Sequence, residues 1–284
     1  MKIDGSGDKG VVSSSLTDRG LFGVAVLIYG ISAIHTIFLW RRGFRRDDHI
    51  AYMLLLGAAG LHTIAMLKRG FSLSRCPLNT LYEATLFFEW TIVVACLLTG
   101  LWSRLRFLGA FASPVLFGVG VFALMPGLDA GGPGSAGLDA WSRVHAAVVL
   151  VAYGAFGLSA VAGMMYLNQE HDLRFHKTRA VLSWMPPMER LERATRILLF
   201  SGFVLLTIGL AVGAGNLKHR DGVYFKQDPK ILWSGLVWLV YLTIVLLHAR
   251  FHQRGRRFAW SAVFCFLFVL LTFWGVNLLS PIHQ

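Results

Sequence analysis

Long apolar segments recur along the whole sequence, and they constrain its fold more than any other feature. Runs of about 20 apolar residues match the length that an α-helix needs to cross a hydrocarbon core of ~30 Å. Charged residues make up 15% of the chain and hydrophobic residues 55%, whereas soluble domains have about 25% and roughly 45–50%. The sequence therefore predicts an all-α integral membrane protein, an eight-helix transmembrane bundle. The predicted spans are 21–40, 50–67, 81–102, 107–125, 142–167, 197–215, 231–248 and 258–279.

The segments outside the spans predict a simple domain organisation. Residues 1–19 are polar and rich in serine and glycine, which is typical of a disordered tail. Residues 20–284 then form a single transmembrane bundle without a soluble domain. The first apolar run is kept as a span because it is too long for a signal-peptide core and lacks a small-residue cleavage site. The longest loop is predicted at 168–195, and the sequence MERLERATR at its end predicts a short amphipathic helix at the membrane interface.

The distribution of basic residues predicts the orientation of the bundle. The loops after the first, third, fifth and seventh spans contain 16 of the 27 Lys and Arg residues, and the opposite side contains 11. Because basic loops remain in the cytoplasm, both termini are expected on the outer face of a bacterial inner membrane. The net charge of +12 follows from this topology. No nucleic-acid binding is expected, since no soluble segment combines a basic stripe with aromatic residues.

Residues 216–250 predict one side of a cofactor site. A polar, basic loop is followed directly by an apolar run that ends on His248. Four basic side chains of this loop lie on the outer face, against the general rule, which favours a role in ligand binding. These four residues are Lys218, Arg220, Lys226 and Lys230.

The positions of the histidines favour haem as one candidate ligand among several. His145, His283 and the loop that begins at residue 216 are remote in sequence but are predicted on the same membrane face. Two neutral imidazoles that face each other can ligate haem iron axially. Histidines and aromatic residues near span ends are also common as interfacial hydrogen-bonding and belt residues. The candidate aromatic walls of a haem slot are Tyr224, Phe225 and Trp141, and the candidate cations for the haem propionates are Arg143, Lys226 and Lys230.

The three cysteines are widely spaced, and no CxxC or CxxCH sequence occurs. This pattern argues against a thiol oxidoreductase, a zinc site and a covalently attached c-type haem on this chain. No nucleophile or acid–base pair stands out either. The chain is therefore not expected to be a classical enzyme, and the transporter or chaperone role is what the family resemblance described next implies.

Several segments resemble the CcsA/CcmC superfamily of haem-handling membrane proteins, over about residues 50–284. Asp228-Pro229-Lys230 with Trp233, Trp238 and His248 resembles the DPK…W…W…LH helix that follows the family's tryptophan-rich WWD loop. Residues 76–90 are similar to the P-x-N-x-Y-E segment, and residues 202–215 resemble the helix that leads into the loop. Residues 143–170 and 255–283 are similar to the helices that carry the two external histidines.

The resemblance implies a set of haem ligands. His145 and His283 match the external histidines that ligate the iron, and His248 matches the histidine of a haem site within the membrane. His35 or His62 is a possible partner of His248. The implied cofactor is non-covalent haem b, accepted near the cytoplasmic half and held outside. Implied partners are haem, apocytochrome c, a CcsB/ResB-like membrane protein and the lipid bilayer, and the loop residues implied to contact haem are Tyr224, Phe225, Asp228 and Lys230.

The loop itself departs from the family pattern WGxYWxWD. Residues 221–228 read DGVYFKQD, so that Phe225 replaces one tryptophan and two others are absent. This departure points to the divergent HemX/YpjD-like branch. Three functions remain open: a haem-binding protein of cytochrome c assembly, an accessory or regulatory membrane protein without haem delivery, and, more distantly, a small-solute or ion transporter that uses the buried histidines.

Overall fold

A computed structural model of the chain confirms an all-helical architecture. It describes residues 17–42, 49–74, 78, 80–101, 108–125, 127–129, 140–175, 187–225, 228–251 and 253–279, and these ranges contain no strand. Six helices (α1, α2, α3, α5, α6 and α7) are long and apolar enough to cross a membrane. The count of eight spans stays a prediction for α4 and α8, as does the orientation of the termini. The helices are α1 (Asp18–Arg42), α2 (His49–Leu73), α3 (Leu81–Gly100), α4 (Leu108–Ala123), α5 (Ala140–Arg174), α6 (Met188–Asp221), α7 (Pro229–Phe251) and α8 (Arg256–Leu279).

Several helices extend beyond the apolar runs. α2 continues to Leu73, α5 to Arg174 and α6 to Asp221. The separate interfacial helix predicted for residues 188–196 is wrong, because these residues form the first turns of α6. An apolar run predicts only the part of a helix that suits the membrane. The helix itself continues where strong helix formers such as Glu, Arg, Leu and Ala follow or precede that run. The predicted loop at 168–195 is correspondingly shorter.

The helices pack as two groups of four. Helices α1 to α4 contact one another, helices α5 to α8 contact one another, and α5 joins the groups through α3 and α4. The apolar window of α5 is 72% buried, whereas that of α7 is 17% buried. α5 is therefore the central helix, and α7 lies at the periphery of the bundle.

Glycines allow α5 to approach its neighbours closely. A Cβ added at Gly154 would lie 2.0 Å from Thr91 Oγ1 of α3. Three glycines of α6 face α5 in the same way, each with an α5 side chain 2.7 Å from the position of the missing Cβ. Small residues are typical of helix contacts in membranes, because they let backbones approach. The three pairs are Gly202 with Phe156, Gly209 with Val149, and Gly213 with His145.

One arginine ties together four helix ends in the first group. Arg69 in α2 donates from Nε to Glu83 Oε1 at 2.9 Å, and from Nη1 to Asp18 Oδ2 and Asp129 Oδ2, both at 3.0 Å. Glu83 also forms a capping box with Thr80 at the start of α3. We call these residues (Arg69, Asp18, Glu83 and Asp129) the Arg69 cluster. Glu83 thereby links the start of α3 to α2 through Arg69.

Aromatic and backbone contacts of Tyr82 add to the Arg69 cluster at the same end of the bundle. The Tyr82 ring lies under two guanidinium groups, with Arg69 Cζ 5.1 Å and Arg19 Cζ 5.6 Å from its centroid. The Tyr82 backbone N–H donates to the Leu128 carbonyl at 3.0 Å. The start of α3 and the segment after α4 are thereby held together.

Candidate functional site

The start of α5, the end of α6 and the start of α7 meet at one end of the second helix group. Asn216 Nδ2 of α6 donates to Ser142 Oγ of α5 at 2.9 Å. Trp238 Nε1 of α7 donates to Thr207 Oγ1 of α6 at 3.0 Å. The start of α5, which carries His145, therefore packs on the last part of α6, which leads into Gly222.

His145 is fixed in one tautomer by a backbone carbonyl. Its Nδ1 lies 2.6 Å from the Gly209 carbonyl oxygen. Because a carbonyl oxygen only accepts, Nδ1 must carry the hydrogen, and Nε2 of the neutral ring carries the lone pair. Metal-ligating histidines almost always donate their other ring N–H in this way. The half-buried imidazole is therefore arranged as a ligand through Nε2.

Gly213 allows the His145 ring to reach this position. A Cβ added at Gly213 would lie 2.7 Å from both Cε1 and Nδ1 of His145. Cβ atoms in proteins essentially never come within 3.0 Å of a heavy atom of another, non-neighbouring residue. The missing side chain thus leaves the space that the imidazole occupies beside the Gly209 carbonyl. Sequence reasoning did not identify Gly213 or Gly209 as positioning residues.

His283, the predicted second external ligand, lies outside the described residues. The Phe268 ring of α8 packs on Trp233, near the start of α7, at a centroid distance of 5.2 Å. This contact places α8 beside the start of α7. The pairing of His145 with His283 stays a prediction.

The Asp-Pro-Lys sequence starts α7. Asp228 Oδ1 accepts from the Lys230 backbone N–H at 2.7 Å, and the Asp228 carbonyl accepts from the Ile231 and Leu232 N–H groups. Pro229 is the first helical residue, a position where its missing N–H needs no partner. Asp228 is therefore an N-cap, and Lys230 is half-buried in the first turn.

The loop aromatics are exposed at the same end. Gly222 ends α6 with a φ of 72°, in the left-handed region. Lys218 donates to the Tyr224 hydroxyl, and its Nζ lies 4.3 Å from the centre of the ring. Tyr224 is 60% exposed and Phe225 55% exposed, so both rings present apolar surface beside the α5–α6 end. Lys226 and Gln227 lie outside the described residues.

His248 lies at the opposite end of the same helix group, with the same tautomer as His145. Its Nδ1 is 2.8 Å from the Gln253 carbonyl oxygen, so its Nε2 also carries the lone pair. The rings of Phe200 and Phe258 pack on it, with centroid distances of 5.7 Å and 4.8 Å. At ~1.5 Å per residue, the 20 positions from Asp228 to His248 along α7 span about 30 Å. The second helix group thus carries two histidines with the same tautomer, His145 near the start of α5 and His248 near the end of α7.

The structure does not bring either proposed partner to His248. His35 lies on α1, and His62 is fully buried on α2, with its Nδ1 3.3 Å from the Tyr29 hydroxyl. Where the helices are described, α7 packs on α6 and α8, and α1 and α2 are not among its main neighbours. The partner of His248 remains open.

Comparison with known proteins identifies the family. Residues 78–283 match the family model described as "Cytochrome C assembly protein". The chain belongs to this family. The match covers α3 to α8, and it confirms the resemblance to the CcsA/CcmC superfamily, while membership of the HemX/YpjD-like branch stays a prediction. Six of the described helices are long and apolar enough to cross a membrane, and the chain is a multi-pass membrane member of the cytochrome c assembly family.

Individual relatives have similar lengths and low identities. The chain is 26% identical to the cytochrome c biogenesis protein CcsA of Gloeobacter violaceus, covering 72% of this chain and 76% of the relative. It is 28% identical to CcsA of a Synechococcus strain, covering 72% and 75%. It is also 28% identical to an uncharacterised 28.8 kDa protein of Azospirillum brasilense, covering 68% and 73%.

Proposed function

We propose that this chain is a membrane haem-binding protein of cytochrome c assembly, which holds haem b on the outer face between His145 and His283. The main support for this proposal is the hydrogen bond from His145 Nδ1 to the Gly209 carbonyl. It fixes the neutral tautomer whose Nε2 can bind iron. The exposed Tyr224 and Phe225 rings at the same end supply apolar surface for a porphyrin, and Lys230 at the start of α7 supplies a cation for a propionate.

We further propose that His248 serves a second haem position at the cytoplasmic end. Its Nδ1 donates to the Gln253 carbonyl, and two phenylalanine rings flank the imidazole. Along α6, Gly209 beside His145 and Phe200 beside His248 are nine residues apart, about 14 Å at ~1.5 Å per residue. The two histidines therefore lie at different levels of the second helix group.

The proposed role is that of a transporter or chaperone and not of an enzyme. Both histidines donate Nδ1–H to backbone carbonyls, which leaves Nε2 with the lone pair that can bind iron. The proposed location is the bacterial inner membrane. The proposed partners are apocytochrome c, which receives the haem, and a CcsB/ResB-like membrane protein. The relatives from Gloeobacter violaceus and Synechococcus are named cytochrome c biogenesis proteins, which supports a role in cytochrome c assembly.

The test is the absorption spectrum of the full-length protein after expression with abundant haem and purification in detergent. The wild type is expected to show a Soret band, and His145→Ala combined with His283→Ala is expected to lose it. His171→Ala is the matched control, because His171 lies at the other end of α5 beside Phe175. A haem-free wild type would refute the proposal.

The second candidate is an accessory or regulatory protein of the HemX/YpjD kind, which binds haem weakly or delivers none. The loop favours it, because two tryptophans of the family pattern are absent and Tyr224 is engaged by Lys218. The two functions differ in a deletion strain. Normal levels of c-type cytochromes would support the accessory role, and their loss would support haem delivery.

A further inference from the structure

The turn between α7 and α8 holds the backbone carbonyl that fixes the His248 ring. Gln253 follows His248 by five residues, and its carbonyl oxygen lies 2.8 Å from His248 Nδ1. The carbonyls of a helix point toward its C-terminus, so a carbonyl further along the chain can accept from His248 only where the chain folds back. α7 ends at Phe251. The path of the chain after α7 therefore decides which nitrogen of His248 carries the hydrogen.

Gly255 makes the bend that leads this turn into α8. Its φ of 64° lies in the left-handed region, which glycine adopts without the steric cost that a side chain brings. Its carbonyl accepts from the Ala259 N–H at 3.1 Å, the first backbone bond of α8. The conformation of Gly255 thus sets how the Gln253 carbonyl approaches His248.

One face of α5 supports the bend from the other side. A Cβ added at Gly255 would lie 3.0 Å from the Tyr166 hydroxyl oxygen. Glu170 follows Tyr166 by four residues and so lies on the same helical face, and its Oε2 is 3.6 Å from Nε of Arg256. The bend therefore rests directly on α5, and a side chain at position 255 would be both strained and crowded.

The start of α8 holds Gln253 and the His248 ring in the same arrangement. Gln253 Nε2 lies 3.4 Å from Ser261 Oγ of α8. The buried Phe258 ring lies 4.8 Å from the His248 ring between centroids. Because α8 begins directly after Gly255, a change in the bend would displace the Gln253 carbonyl and the Phe258 ring together.

We propose that Gly255 is a positioning residue for His248. Its left-handed bend places the Gln253 carbonyl against Nδ1, and this leaves Nε2 with the lone pair. The role in iron binding rests on the proposed haem position at His248. A histidine ligand depends on the acceptor of its other N–H, whose loss typically lowers metal affinity roughly 10–100-fold. Gly255 acts through the Gln253 carbonyl and not by contact with haem.

The first experiment is ¹⁵N nuclear magnetic resonance of the full-length, histidine-labelled protein in lipid bilayers without haem. It is recorded at about pH 8.5, two units above the ordinary histidine pKa, so that the rings are neutral. An N–H nitrogen and a lone-pair nitrogen give separate signals, and His248→Ala identifies those of His248. The wild type is expected to show only the Nδ1–H form at His248. Gly255→Ala is expected to show the Nε2–H form as well, because the displaced bend withdraws the acceptor.

Gly222→Ala is the matched control for backbone strain. Gly222 ends α6 with a φ of 72°, and a Cβ there would meet nothing within 4 Å among the described residues. The substitution introduces the same left-handed strain away from the α7–α8 turn, so the His248 signals should not change. Tyr166→Phe combined with Gly255→Ala removes the hydroxyl that the new Cβ would meet. This double variant is expected to regain part of the Nδ1–H signal.

Haem titration of the same proteins is the second readout. The affinity that belongs to His248 is the part that His248→Ala removes. Gly255→Ala is expected to weaken this part by roughly 10–100-fold. Gly235→Ala, in α7 itself, should leave it unchanged, because its Cβ would meet nothing within 4 Å in the described part of the chain.

Three results would overturn the inference. They are an Nε2–H signal for His248 in the wild type, an unchanged Nδ1–H signal in Gly255→Ala, and a haem affinity at His248 that Gly255→Ala leaves unchanged. A His248→Ala variant that binds as much haem as the wild type would instead refute the proposed haem position. A tautomer that still depends on Gly255 in that case would show that Gly255 positions His248 independently of haem.

Discussion

Replacing Gly213 by alanine is expected to weaken haem binding by displacing the His145 imidazole. The added Cβ would lie 2.7 Å from Cε1 and Nδ1 of the ring, and ordinary contacts begin at 3.4 Å. Relief of the clash by the ring alone requires a movement of about 0.7 Å, which takes the 2.6 Å hydrogen bond to Gly209 to about the end of the normal N–H···O range. Loss of such a partner typically lowers metal affinity by roughly 10–100-fold. The expected loss is therefore about 1.4–2.8 kcal/mol of binding free energy.

The assay is haem titration of the purified protein, followed by absorbance, together with thermal unfolding of the same samples. Gly202→Ala is the first control, because its Cβ would clash with Phe156 at 2.7 Å in the same α5–α6 contact without touching His145. Gly215→Ala is the second, because its Cβ would meet nothing within 4 Å. Only Gly213→Ala should change the haem affinity beyond its effect on stability. Equal losses of haem affinity in Gly202→Ala and Gly213→Ala would refute the positioning role.

Three further predictions concern stability and the start of α7. Arg69→Met leaves the buried Glu83 without its cation and is expected to lower the free energy of unfolding, measured by thermal unfolding, by about 3–5 kcal/mol. Arg256→Met is the control, because its pair with Glu170 is exposed, and it should lower the free energy of unfolding by less than about 1 kcal/mol. Similar effects of the two substitutions would contradict this account. Asp228→Ala removes an N-cap and is expected to lower the free energy of unfolding by about 1 kcal/mol, whereas Asp228→Asn retains the cap. Loss of haem binding in the asparagine variant would show a role of Asp228 beyond capping. Gly154→Ala clashes with both Oγ1 and Cβ of Thr91 and is expected to lose about 1–3 kcal/mol. Thr91→Gly removes both atoms and should recover part of this loss in a double-mutant cycle; additive losses would place the strain elsewhere.

The meeting of the start of α5 with the end of α6 could be predicted from the sequence, because any chain that crosses a membrane repeatedly brings alternate helix ends together. The helix limits could not. α6 includes residues 188–196 and 216–221, which lie outside its apolar run, since strong helix formers carry the backbone pattern beyond the lipid. His219 accordingly lies in the last turns of α6 and not in a loop.

The contacts that orient side chains depend on helix rotation, which hydropathy does not specify. The fit of His145 against Gly213 requires a particular face of α6 to meet α5. A signal was nonetheless present, because Gly202, Gly209 and Gly213 fall on one helical face. The Arg69 cluster also had a signal, since Asp18, Arg69, Glu83 and Asp129 all adjoin span ends on one predicted membrane face. Opposite charges at neighbouring span ends are a pattern that sequence analysis can search for.

The most direct test of the central claim is chemical rescue of a His145→Gly variant with imidazole. The account predicts that this variant loses bound haem and its Soret band, and that added imidazole restores both by occupying the vacated space beside the Gly209 carbonyl. The wild type should not respond to the same imidazole concentrations. A Soret band that survives in His145→Gly without imidazole, or that imidazole fails to restore, would contradict axial ligation by His145.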